Sequence, residues 1–191
     1  ARKKNEGARL QAASARGVHP GQKRATALAL CPDLLIRSRD PLAEQQALEQ
    51  LACWALQFTP RISLRQPTER QAEAGLLLDI EASLKLFDGL DHLLTRLRIG
   101  LQELGFNARI GCAPTATACW LFARARDGLV ARSDTALDTM LADLPVSLLD
   151  ALRGRDAALE ALGARCFRDL VRLPRPGLSR RFLSSVPELV R

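Results

Sequence analysis

The chain has 191 residues, 47% of them hydrophobic and 26% charged, with a formal net charge of +7, a balance that suits a globular protein with one large or two small cores. No apolar run approaches the roughly 20 residues needed to cross a bilayer, and the basic start ARKKNEGARL leads into no apolar core, so it does not read as a secretory signal. Five scattered cysteines without a CxxC pair, beside two histidines, argue against zinc and for a reducing cytoplasm, and the lack of tyrosine with only 4% aromatics argues against a base-stacking surface.

In chain order, residues 2–16 are polar and Ala-rich and predict a helix, followed by a turn at GVHPGQ, with Gly17, Pro20 and Gly21. Residues 22–31 predict a short helix stopped by Pro32, and LLIRSR (34–39) predicts a strand. Residues 41–58 predict a helix with Pro41 at its start, where a missing N–H costs nothing, and a stripe of Leu48, Leu51, Ala55 and Phe58. RISLRQ (61–66) and GLLLDIEA (75–82) read as two strands of a hairpin. Residues 90–105 form the clearest helix, with leucines 90, 93, 94, 97, 101 and 104 on one face and Gly105 as its cap. ARIGC (108–112) predicts a strand, 115–126 a helix and LVAR (129–132) a short edge strand. Beyond residue 133, Pro145, Gly154 and Gly163 split the sequence into short helical runs.

Strands alternating with amphipathic helices predict an α+β fold in which a mixed sheet carries helices on one face, followed by a small all-helical domain. On the strand 75–82, alternation places Leu76, Leu78, Ile80 and Ala82 on one face, packed on helix 90–105, and Gly75, Leu77, Asp79 and Glu81 on the other. The two acids then face either solvent or a cleft. Trp54 and Trp120 lie on helices and read as core anchors, and His19 and His92 read as surface residues.

Charge is unevenly distributed. Residues 1–24 hold seven Lys/Arg and one Glu, and residues 151–191 hold nine Arg and four acids, whereas the segment between is net −4. Two basic ends around an acidic centre suit a protein that grips a polyanion. Arg165, Arg168 and Arg172 have the spacing of one helix face, and Arg175, Arg180 and Arg181 follow in a proline-stiffened loop. Together the six form a candidate track for backbone phosphates, without base-reading logic. A solvated helical face is the alternative.

The ordered set RGVHPGQ, ALCPDLLI, LLLDIEASLKLFDG, ARIGCAPTATACWLFA, LADLPVSLLDALRG and LGARCFRDLVRL resembles the Y-family (UmuC/DinB-type) translesion DNA polymerases. The tracts CWALQFTP and GLLLDIEASLKLFDG are most similar to the ImuB-like branch, whose members have lost polymerase chemistry. The resemblance implies a fingers-like segment over 1–39, a palm-like domain over 40–133 and a thumb-like helical domain over 134–191, the last with a degenerate helix-hairpin-helix turn at Leu152–Arg155. It also implies a fragment, because the chain begins without Met and the family's first metal-binding strand would precede residue 1.

In active members an Asp-Glu pair stands a few residues before a Leu-Asp-Val element. With Asp79 taken as that element's Asp, the pair falls on Ala74 and Gly75. The Tyr and Arg that hold the triphosphate fall on Gln11 and Ser14, and the Lys falls on Trp120. Two magnesium ions need clustered carboxylates, so the resemblance implies no metal, no cofactor and no catalysis, with Glu73 the nearest single acid. The implied protein is a nucleoid-associated adaptor in DNA-damage-induced mutagenesis. Its implied partners are DNA, a RecA-like accessory protein, the sliding clamp and an error-prone replicative-type polymerase. The alternatives are an active translesion polymerase that draws on Glu73 and a helical interaction module that binds no DNA.

Overall fold

A computed structural model describes residues 14–19, 21–36, 38, 40–67, 73–152 and 156–172. These residues form seven α-helices and four short strands. They fall into two compact units, each made of two stretches of chain: one contains the described residues up to Pro60 together with Ile80–Asn107, the other Arg61–Asp79 together with the described residues from Ala108 onward.

In the first unit, α1 (Arg24–Leu30) ends at Cys31, beside Pro32, and buries Ala27. The anticipated helix 2–16 lies outside the described residues apart from its last turn, in which Ser14 and Ala15 are helical. The expected strand 34–39 does not form: residues 34–36 and 38 have no strand pairing, and Leu35 is 70% exposed. Its apolar run is three residues long, too short to anchor a strand that no neighbour pairs.

Helix α2 (Pro41–Ala55) begins as the sequence predicts, with Pro41 in the first turn and the Asp40 carboxylate accepting a hydrogen bond from the Ala43 N–H. That cap satisfies one of the amide donors left over at any helix start. After Leu78 the backbone leaves the extended conformation, and Glu81–Ser83 forms a 3-10 turn, so the strand predicted to run to residue 82 is four residues shorter. Helix α3 (Leu90–Glu103) buries Leu93 and Leu101 from its leucine face and ends at Gly105, whose φ of 76° is the left-handed value a helix stop requires. Between α2 and α3, Trp54 packs edge-on to Phe58 at 5.2 Å between ring centroids, and Phe58 lies 5.5 Å from Phe87. Trp54 also lies against Gly100, where a Cβ would collide with the indole. Trp54 is thus an anchor seated on a glycine, and it remains half-buried.

The second unit holds the sheets. In place of one mixed sheet, the described residues form two two-stranded sheets. Strands β1 (Ile62–Arg65) and β2 (Gly75–Leu78) pair antiparallel, with Ile62 opposite Leu78 and Arg65 opposite Gly75. Strands β3 (Gly111–Cys112) and β4 (Leu129–Val130) pair in parallel, and helix α4 (Ala116–Ala125) connects them. A parallel pair needs such a crossover, because a tight turn can join only antiparallel strands. The Thr115 hydroxyl caps α4 by accepting from the Ala118 N–H.

Phe122, fully buried, centres a core with Ala118, Leu121, Leu129, Ala131, Leu137 and Leu144. Beyond it, α5 (Asp134–Ala142) is capped by Ser133, and two 3-10 turns (Val146–Leu148 and Asp150–Leu152), α6 (Asp156–Ala161) and α7 (Phe167–Arg172) follow. Val146, Leu152, Leu159 and Ala164 form a second small core there. The short helical runs anticipated after residue 133 are present.

Candidate functional site

The site grows from the start of β2. Glu73 and Ala74 are exposed just before the strand, and Gly75 opens it. A Cβ built on Gly75 would lie 2.7 Å from the Trp120 ring atom Cζ3 and 3.1 Å from Cη2, so the indole occupies the volume any side chain at 75 would need. Trp120 is held there by its place on α4. From β1, the Arg65 guanidinium lies over the Trp120 ring at 4.3 Å from the centroid, a cation–π contact worth about 0.5–1 kcal/mol where the cation is partly exposed.

Charged groups tie this stack to the rest of the unit. Arg65 Nη2 is 3.8 Å from Asp150 Oδ2. Asp150 also pairs with Arg124 at 3.0 Å, and the two side chains are only 18% and 10% exposed. Arg124 donates a 2.6 Å hydrogen bond to the Leu148 carbonyl and lies 3.6 Å from Glu73. Glu73, the one nearby acid the sequence offered as a metal ligand, is therefore drawn to an arginine. Asp79 pairs with Arg61 across the hairpin at 3.1 Å, and Glu81 sits exposed in the 3-10 turn, so the two acids expected on one strand face both lie beyond the end of β2.

In active members of the family that the chain resembles, the positions aligned with 74 and 75 carry metal-binding acids, and the residues present here do not fit a divalent metal. Neither residue has a carboxylate, and a side chain added at 75 would strike Trp120. Among the described residues, no three His, Cys, Asp or Glu side chains are grouped as a metal site would require. Of the triphosphate positions, Ser14 is exposed, Trp120 is stacked as above, and Gln11 lies outside the described residues.

The arginine track is only partly in view. Arg165, Arg168 and Arg172 are exposed, whereas Arg175, Arg180 and Arg181 lie outside the described residues, as do residues 153–155 of the LRGR turn. The three do not share one helix face. Arg165 precedes α7, and its carbonyl accepts from the Val146 N–H; the neighbouring Cys166 bridges to Pro145. Arg168 pairs with Asp143. The Asp169 carboxylate accepts from the backbone N–H groups of Arg165 and Cys166, both at 3.1 Å, and from the Cys166 thiol. The Cys166 thiol, then the two backbone donors, hold its carboxyl below the ordinary aspartate value. This carboxylate closes the first turn of α7 in the manner of a capping box.

Two thiols lie near α4. Burial pushes both Cys112 and Cys119 above the usual thiol value, Cys112 further through its neighbour Cys119, although Arg132 acts the other way. Both therefore stay protonated and weakly nucleophilic at neutral pH. His19 and His92 are exposed, as their sequence positions suggested.

The Arg65–Asp150–Arg124 network was not foreseen in the sequence. Its members are separated by 26 residues or more, so no local spacing signals them. The one clue was an isolated glycine opening a strand, which marks a close approach.

Two small sheets and short helices, with the ordered motifs noted in the sequence, fit one class: the chain belongs to the impB/mucB/samB family of Y-family, polymerase-like proteins, whose family model matches residues 8–124. Within that class it is similar to Protein ImuB of Caulobacter vibrioides, from strain NA1000 / CB15N and from strain ATCC 19089 / CIP 103742 / CB 15. Each is 36% identical over 166 residues, which cover 87% of this chain and 35% of the relative. The chain thus spans about a third of the length of the curated relatives it matches. No solved structure matches significantly. No helix among the described residues is long and apolar enough to cross a membrane.

Proposed function

We propose that this chain is the polymerase-like part of a DNA-damage-tolerance protein that binds DNA through backbone phosphates and performs no nucleotidyl transfer. One observation carries the reading: Trp120 fills the space in front of Gly75, a position that the resemblance aligns with one of the family's acids. In this reading residues 1–39 correspond to fingers, 40–133 to palm and 134–191 to thumb, and the exposed Arg165 and Arg172 meet phosphates. The partners the resemblance implies are a RecA-like accessory protein, the sliding clamp and an error-prone polymerase, which the adaptor brings to damaged DNA on the nucleoid.

Primer extension with Mg²⁺ tests this. No templated incorporation is expected. Incorporation that disappears on Glu73→Ala would instead establish an active translesion polymerase, since Glu73 is the acid nearest in sequence to positions 74 and 75.

A further inference from the structure

We infer that Gly75, Trp120 and Arg65 form an interlock that closes the start of β2, and that positions 75 and 120 are coupled so that neither tolerates change alone. The inference concerns how the face is closed, and it stands whether or not the chain binds DNA.

The indole meets β2 at the one residue that has no side chain. A Cβ at 75 would come within 2.7 Å of Cζ3, closer than van der Waals contact permits. A ring end can often swing aside from such a collision, but this one has Arg65 stacked over it at 4.3 Å. Arg65 is itself anchored to Asp150, and Asp150 to the nearly buried Arg124. Moving the ring therefore disturbs a chain of ionic contacts that reaches from β1 to the 3-10 turn at Asp150.

The dependence also runs the other way. Removing the indole leaves a void over Gly75 that a glycine cannot fill, and it strips Arg65 of its aromatic partner. With the ring in place, the space beside the start of β2 is taken, and the guanidinium stacked on it already faces a carboxylate.

A double-mutant cycle in the intact chain tests the coupling. Gly75→Ala is expected to lower the melting temperature by about 4 °C or more. In a Trp120→Leu background the same change should cost clearly less, because the collision has been removed. If Trp120→Leu does not fold, Arg65→Ala serves as the second background: with the stack released, the ring can yield and the cost at 75 should again shrink. An unchanged cost in either background, or no cost in the wild type, overturns the interlock. Primer-extension activity in the wild type would overturn the adaptor reading and leave this result unaffected.

Discussion

Gly75 and Gly111 both stand where a side chain cannot, but for different reasons. At Gly75 the obstacle is a side chain. At Gly111, which opens β3, a Cβ would lie 2.5 Å from both the Ala123 nitrogen and the Cys119 carbonyl oxygen, in the backbone of α4. Backbone atoms inside a hydrogen-bonded helix cannot step aside, so the whole β3–α4 contact must open to admit a methyl group. Gly111→Ala is therefore expected to cost about 3 kcal/mol or more, read as a lowered denaturant midpoint. A change at Gly111 should be rescued by no single side-chain truncation nearby, in contrast to the compensation expected at Gly75. Neither glycine could be ranked from the sequence, because what faces it comes from a helix several residues or several tens of residues away. In the sequence Gly75 appears only as a glycine at a strand start and Gly111 as one near a strand end.

The amphipathic helices were legible because their signals are local. The leucine periodicity of 90–104 and the Pro41 start of α2 lie within one or two turns of the helices they shape. The β1–β2 hairpin was legible too, but its length was not: Ile80 continues the apolar alternation, yet the chain turns at Glu81. Strand ends depend on where a partner strand stops pairing, and here Ile62 opposite Leu78 is the last pair. The arginine spacing at 165, 168 and 172 misled for a similar reason. Helix α7 starts at Phe167, because the backbone on either side of Cys166 is hydrogen-bonded to Leu144 and Val146 and Asp169 caps the turn.

That cap carries a pH prediction. Because the folded-state value of Asp169 is lowered, its contribution is fully present above the ordinary aspartate range and is lost as pH falls through the lowered value. Amide-exchange protection at Arg165 and Cys166 should accordingly persist at pH 5–7 and weaken in more acidic solution. In Asp169→Ala it should already be weak at neutral pH. Protection that does not respond to either change would show that the carboxylate is not the cap.

For the molecule as a whole, the net charge of +7 and the basic C-terminal quarter favour a polyanionic partner. If backbone phosphates are that partner, log affinity for duplex DNA should fall linearly with log salt, by about 0.9 per phosphate neutralised. Arg172→Ala should reduce that slope by about one contact, whereas Arg168→Ala should reduce it less, since Arg168 already pairs with Asp143. Equal effects would show that the Asp143 pair does not withhold Arg168 from phosphates, and no binding at low salt would point to a protein partner instead. The family was legible from the sequence because ordered motifs over most of the chain carry it. In the sequence Gly75 was legible only as a glycine that the resemblance aligns with an acid; that an indole fills the space beside it required the fold.

Each compact unit is assembled from two separated stretches, and this fixes the order in which a nascent polypeptide can complete them. The first unit lacks α3 until translation passes Asn107. The hairpin at 61–79 leaves the ribosome earlier, yet its packing partners, α4 and the Asp150 turn, are made some forty to seventy residues later. During that interval the leucines of β2 have no helix of their own unit to shelter them, so a pause in synthesis between residues 80 and 115 is the moment at which a chaperone would find the most to hold.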